Sequence, residues 1–180
     1  MVSSMRWVAA VSLILSLSGS APAQDDPWSD FRFLMGEWVG EGKPGQGSGG
    51  FTLAVELQGK VLVRRNRAEL PAAPGRPAGN HEDLMVIYRE PGSKQVKAAY
   101  FDSEGHVILY GVSALPDKQN LVFLSDPQPS SPRYRLTYSQ SKGDIVTIKF
   151  EIAPPGKPEE FKTYLEGSAR RKEASKRDKT

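Results

Sequence analysis

From Trp38 onward the chain is a succession of short segments rich in β-branched, aromatic and aliphatic residues, returning roughly every 10 to 14 residues and separated by turn-forming residues. The segments are a strand opening at Trp38 and then Gly50 to Gln58, Lys60 to Leu70, Glu82 to Arg89, Gln95 to Asp102, His106 to Ser113, Leu121 to Ser125, Arg133 to Gln140, Asp144 to Ala153 and Glu160 to Arg171. Gln58-Gly59, Pro91-Gly92-Ser93, Ser103-Glu104-Gly105, Pro116-Asp117-Lys118, Lys142-Gly143 and Pro154-Pro155-Gly156 fill the joints. Joints this short bring consecutive strands together antiparallel. Only Pro71 to Asn80, rich in Pro, Ala and Gly, and Asp126 to Pro132 are longer.

Two segments alternate cleanly: Val146, Ile148, Phe150 and Ile152 oppose Thr147, Lys149 and Glu151, and Tyr134, Leu136 and Tyr138 oppose Arg133, Arg135 and Thr137. Others, such as Leu84 to Tyr88 and Val107 to Tyr110, are apolar on both faces. The expectation is an all-β, roughly ten-stranded antiparallel up-and-down barrel, which removes exposed sheet edges and can enclose a small ligand. A two-sheet sandwich is the structural alternative. Ahead of the strands, Asp26-Pro27 or Ser29 can cap one helical turn that sets Trp28, Phe31, Leu34 and Met35 on one face, ended by Gly36.

The first residues read differently. Met1 to Arg6 carries one positive charge, Trp7 to Leu17 is almost uniformly apolar, and Ser18 to Ala23 supplies small residues with an Ala-x-Ala ending. That is the layout of a secretory signal peptide over residues 1–23, cleaved after Ala23, with an apolar run too short to span a bilayer. An uncleaved anchor is the alternative. The expectation is an exported protein, periplasmic or extracellular, with one domain over residues 24–171, no integral membrane segment after cleavage and a basic disordered tail at 172–180. With no cysteine, the chain has no disulfide framework, thiolate nucleophile or Cys-type zinc site. The formal charge of +3 sits mainly in Arg170, Arg171, Lys172, Lys176, Arg177 and Lys179. The body lacks a basic stripe with interleaved aromatics, so nucleic acid is not an expected partner.

Gly36-Glu37-Trp38-Val39-Gly40-Glu41-Gly42 resembles the first strand of nitrobindin-like barrels and, more loosely, the Gly-x-Trp start of lipocalins and other calycins. EGHVI, FLSD and FEIAPPGKP are similar to segments of the uncharacterised bacterial DUF1579-type proteins. The resemblance covers Phe31 to Arg171 and implies that Trp38 packs across one barrel end, with Arg170 or Arg171 of the last strand against its ring. It also implies that nitrobindins hold haem through a last-strand histidine followed by leucine; here Tyr164-Leu165 occupies that place. A tyrosinate ligates ferric haem only if a partner lowers its pKa, and none can be named from sequence.

Val61-Leu-Val-Arg64-Arg65-Asn66-Arg67 places three arginines in one strand, Arg65 and Arg67 on one face and Arg64 on the other. An inward arginine beside Tyr88, Tyr110, Tyr134, Tyr138 or Tyr164 offers a grip for the head group of a small amphipathic ligand, an anionic one included. The alternative puts the arginines outside, paired with Glu56, Glu69 or Glu82. His81 and His106, the two histidines, stand near Glu82, Asp83, Asp102 and Glu104, donors for zinc or manganese if those strand ends meet; a tight turn needs the same residues. No nucleophile setting argues for catalysis. The leading expectation is an exported barrel binding a small hydrophobic or amphipathic molecule in a continuous interior cavity. The alternatives are a haem protein or enzyme on that scaffold and a ligand-free interaction module contacting partners through the tail or the Pro71 to Asn80 loop.

Overall fold

The computed structural model describes residues 26–42, 47–72, 75, 77–117, 119–141 and 143–173. The expected signal peptide therefore lies outside the described residues, as does the tail beyond Glu173. A 3-10 turn at Ser29–Leu34 leads into ten strands: β1 (Gly36–Gly40), β2 (Ser48–Glu56), β3 (Val61–Leu70), β4 (Gly79–Arg89), β5 (Val96–Asp102), β6 (Val107–Ala114), β7 (Asn120–Ser125), β8 (Arg133–Gln140), β9 (Ile145–Ala153) and β10 (Lys162–Arg171). Every strand pairs antiparallel with its chain neighbour, and β1 pairs with β10, so the sheet closes into a barrel. The sandwich alternative is excluded by that closure.

Strand parity divides wall from interior. Phe51 and Leu53 of β2, Leu62 and Arg64 of β3, Met85 and Ile87 of β4, Tyr110 of β6, Phe123 of β7, Tyr138 of β8 and Val146 of β9 are buried in the interior. At the end where β1 begins and β10 finishes, the N-terminal turn plugs the barrel with Trp28, Phe31 and Leu34. Asp26 starts this turn by accepting the Trp28 N–H at 2.9 Å, and Trp28 Nε1 donates to the Gly59 carbonyl at 2.9 Å, tying the plug to the β2–β3 connection.

Trp38 seals the plugged end. Its Nε1 donates to the Leu34 carbonyl at 2.8 Å, one face stacks on Phe51, and the Arg171 guanidinium lies 4.4 Å from its ring centroid. Arg171 also donates to the carbonyls of Met35 and Phe33. One side chain from the last strand thus binds the first strand and the plug together, combining cation–π attraction with charge-assisted hydrogen bonds. Gly36 makes room: its φ is +113°, and a Cβ there would stand 2.8 Å from Arg171 Nη1. Of the two arginines expected against Trp38, Arg171 takes the position; Arg170, one residue earlier, faces outward to Glu41 at 2.5 Å.

The outer wall between β8 and β10 carries one added cover. Phe161, in the β9–β10 connection, lies over β8 with Arg135 4.1 Å and Arg133 5.9 Å from its ring centroid. Arg135 and Lys149 also bind Glu151, which explains a buried carboxylate on an outward-facing position.

Candidate functional site

The other end, where β3 meets β4 and β5 meets β6, carries no plug among the described residues. One wall of this open half is polar. Arg64 Nη1 donates to Asp83 Oδ1 at 2.5 Å, and Asn66, directly opposite Asp83 in the β3–β4 register, donates to Oδ2 at 2.9 Å. His81 stands between two carboxylates, with Nε2 3.2 Å from Asp83 and Nδ1 2.9 Å from Glu104. The Tyr100 hydroxyl donates to Asp102 at 3.3 Å and lies 3.5 Å from His81 Nε2. Asp102 in turn caps the β5–β6 turn, accepting from the Glu104 and His106 backbone N–H groups and meeting His106 Nδ1 at 2.9 Å.

Burial sets the chemistry of this network. Asp83 is 4% exposed and Arg64 9% by side chain, so theirs is a buried ion pair whose removal from water is offset by close geometry and the added Asn66 bond. Burial alone would lower the Arg64 pKa, but Tyr138, Asp83 and Tyr100 outweigh it and raise it, so Arg64 stays charged. Burial also pulls His81 down, yet Glu104 and then Asp83 lift it above its ordinary value. Tyr100 is pushed up by burial and by the nearby Asp83 and Asp102, so its hydroxyl keeps its proton. Burial would raise Asp102, but its bonds from His106 bring it below the usual carboxylate range.

The opposite wall is apolar. Tyr134 of β8 and Phe150 of β9 stack with ring centroids 6.0 Å apart, and Tyr164 meets Phe150 edge-on at 6.1 Å. The β9–β10 register shifts between Thr163 and Leu165, leaving Tyr164 as the extra residue of a bulge. Leu165, paired with Phe150, is exposed on the rim. The interior half next to the plug is occupied by Tyr138, Phe123, Leu53, Leu62, Met85, Ile87 and Val146, all fully buried. The continuous interior cavity expected from sequence does not extend into this half.

The arginine strand resolves by parity. Arg64 points inward, sharing its face with Leu62, and its guanidinium lies 5.3 Å from the Phe51 ring centroid and 5.9 Å from that of Tyr138. Arg65 and Arg67 face outward, paired with Glu56 at 2.6 Å and Glu82 at 3.7 Å. Tyr88 also takes the outer face, one residue out of step with Met85 and Ile87, while Tyr110 and Tyr138 are buried inside and Tyr134 lines the apolar wall. His81 joins the interior network; His106 stays on the exposed turn. Asp102, Glu104 and His106 bring one donor atom each within 4.8 Å of one another, the potential metal ligand group among the described residues. Asn66, Tyr100 and Phe150 belong to the site but were not singled out as site residues by sequence; Asp83, named there as a possible metal donor, shares parity with Met85 and Ile87, a signal of inward placement.

The residues around Tyr164 do not fit a haem. The phenol is 74% exposed on the rim, its ring contact is the edge of Phe150, and the interior behind Phe150 is filled by its stacking partner Tyr134 and by Leu136 and Tyr138. No cationic side chain is bonded to its hydroxyl among the described residues.

A groove of about 700 Å³ crosses the outer wall of β1 to β5, with Val39, Leu84 and Phe101 among its lining and Glu37, Arg65, Arg67 and Glu82 beside them. A second, of about 460 Å³, lies over Arg135, Lys149 and Glu151. Arg65, Arg67, Arg135 and Lys149 already have carboxylate partners there.

Fold and site together define a closed ten-stranded antiparallel barrel of calycin type, plugged at one end and two-faced at the other. No family model and no curated protein matches the chain.

Proposed function

We propose that this protein binds a small hydrophobic or amphipathic molecule in the open half of its barrel. The observation that carries the reading is the pairing of unlike walls at one barrel end: the Arg64–Asp83–His81–Tyr100 network on β3 to β5 and the Tyr134–Phe150–Tyr164 cluster on β8 to β10. Apolar surface with a few fixed polar groups is the usual make-up of a small-molecule site. The Gly-x-Trp start and the Trp38–Arg171 contact support kinship with the DUF1579-type, nitrobindin-like barrels, and the leader residues support export to the periplasm or beyond.

A saturable rise in 1-aminoanthracene fluorescence on titration with the full chain tests this. Tyr134→Ala and Phe150→Ala are expected to weaken binding several-fold, whereas Arg65→Ala and Phe101→Ser on the outer wall leave it unchanged. Loss of binding in Phe101→Ser with full binding in Phe150→Ala would move the site to the outer wall. That outcome would favour an interaction surface, for which the exposed row Leu84, Phe101 and Val107, in register across β4, β5 and β6, is the observation.

A further inference from the structure

Two stretches that are apolar on both faces, Leu84 to Tyr88 and Val107 to Tyr110, are only half accounted for by the interior. Their inward residues Met85, Ile87, Ile108 and Tyr110 are buried, which puts Leu84, Val86, Val107 and Leu109 on the outer wall. Register joins them into a patch. Leu84, Phe101 and Val107 form one row across β4, β5 and β6, and Val86, Ala99 and Leu109 form the next. Leu109 is 65% exposed, Val107 62%, Phe101 42% and Leu84 36%, so these four alone leave roughly 300–400 Å² of apolar surface to water, the size of patch that marks a contact site. The wall of β8 and β9 differs: its outward pairs are Arg135 with Glu151 and Thr137 with Lys149. The barrel thus has a solvated side and an apolar side.

The border of the patch constrains what meets it. Arg65, opposite Leu84 in the β3–β4 register, is held by Glu56 at 2.6 Å, and Arg67 meets Glu82 at 3.7 Å with both side chains 63% exposed. Lys97 stands two residues from Ala99 on the same face of β5. Both signs of charge therefore ring one apolar centre. An anionic lipid surface would match a border of cations, and a strongly charged protein a border of the one opposite sign. A two-fold dimer presents the same surface from both sides, so its patch must complement itself, and a border of both signs meets that condition. Shape agrees: small Ala99 leaves a hollow between Val86 and Leu109 in its row, with Leu109 projecting one strand away. Size agrees too, because an apolar centre of this extent inside a charged border approaches the ~800 Å² that each partner contributes to a standard interface.

We propose that two copies of this chain associate face to face through the outer wall of β4, β5 and β6. Phe101, Val107 and Leu109 form the centre of the contact, Leu109 of one copy against Ala99 of the other, and Arg65, Arg67 and Glu82 form its rim. The contact lies outside the barrel, so it is independent of what the open half binds.

The test is sedimentation equilibrium of the full chain over about 1 to 200 μM, the range in which an interface of modest strength forms and dissociates. The wild type is expected to reach twice the mass of the chain. Leu109→Glu and Phe101→Ser, both at exposed positions outside the core, are expected to raise the dimer dissociation constant by about tenfold or more. Leu115→Ser, as exposed as Phe101 at 42% but just past the end of β6, is expected to leave it unchanged. A wild-type monomer at the highest concentration, a dimer undiminished in both patch variants, or an equal loss in Leu115→Ser would each overturn the proposal; the first of these is read on the wild type and needs no variant to fold. A wild-type monomer that co-sediments with phosphatidylglycerol vesicles, and ceases to do so in Leu109→Glu, would overturn it in favour of a lipid surface.

Discussion

The two ends of the barrel use the same kinds of residue to opposite effect. At the plugged end an arginine, Arg171, lies on an indole and spends its donors on the Phe33 and Met35 carbonyls, while Trp38 gives its own N–H to Leu34. Among the described residues, no buried side-chain donor or acceptor there is left without a partner. In the open half an arginine, Arg64, also lies against aromatic rings, but it is tied to Asp83 and its neighbours His81, Tyr100 and Asp102 are titratable. Saturated polar groups lock a structure, whereas a few fixed polar groups facing an apolar wall are the usual make-up of a small-molecule site. The plugged end closes the barrel, and the open end is where the proposed binding would take place.

Breaking the plugged end is expected to have the largest effect. Trp38→Ala removes a fully packed indole, the surface under Arg171 and the bond to Leu34, and should cost about 3–5 kcal/mol of stability by urea denaturation. Retention of the wild-type midpoint would show that Trp38 does not close the barrel.

The buried charge pair comes next. Asp83→Ala strands Arg64 without a counter-charge and should cost about 3 kcal/mol, whereas Arg65→Ala, which breaks the exposed pair with Glu56, should cost under about 1 kcal/mol. Equal losses from the two substitutions would deny the distinction between inner and outer arginines.

The smallest effect is a pH dependence in the open half alone. The folded-state pKa of His81 is raised above its ordinary 6.5, so its stabilising contribution is complete below that value and is lost as pH rises through the folded pKa. Asp83, Glu104 and Tyr100 are the groups facing it. Stability should therefore decline slightly as pH rises above the ordinary histidine value of about 6.5, and His81→Gln should flatten that slope. A stability that instead rises with pH over this range in the wild type, with no change in His81→Gln, would contradict the assignment.

Much of the plugged end was legible in sequence. Turn residues at nearly every joint and the alternation in Tyr134 to Tyr138 and Val146 to Ile152 are local signals, and they convey strand number and direction. The Trp38 partner was narrowed to Arg170 or Arg171 by likeness, and parity on β10 decides between them. The open half was harder to read because its defining contacts are set by register. Val61 and Val63 on one face and Leu62 on the other make both faces of β3 apolar, so alternation does not tell Arg64 from Arg65. Asp83 meets Arg64 and Asn66 only because Asn66 stands opposite it in the β3–β4 pairing. The bulge at Tyr164 and the fold-back of Phe161 onto Arg135 likewise depend on neighbouring strands rather than on local spacing.

The central claim is that the open half, and not the outer wall or the plugged end, receives the ligand. The most direct test is an amide NMR titration of the full chain with 1-aminoanthracene. Shifts are expected to be largest at Asn66, His81, Tyr100, Tyr134, Phe150 and Leu165, with Trp28, Phe31 and Trp38 unmoved. Shifts centred on Leu84, Phe101 and Val107, or none at saturating probe, would contradict the account.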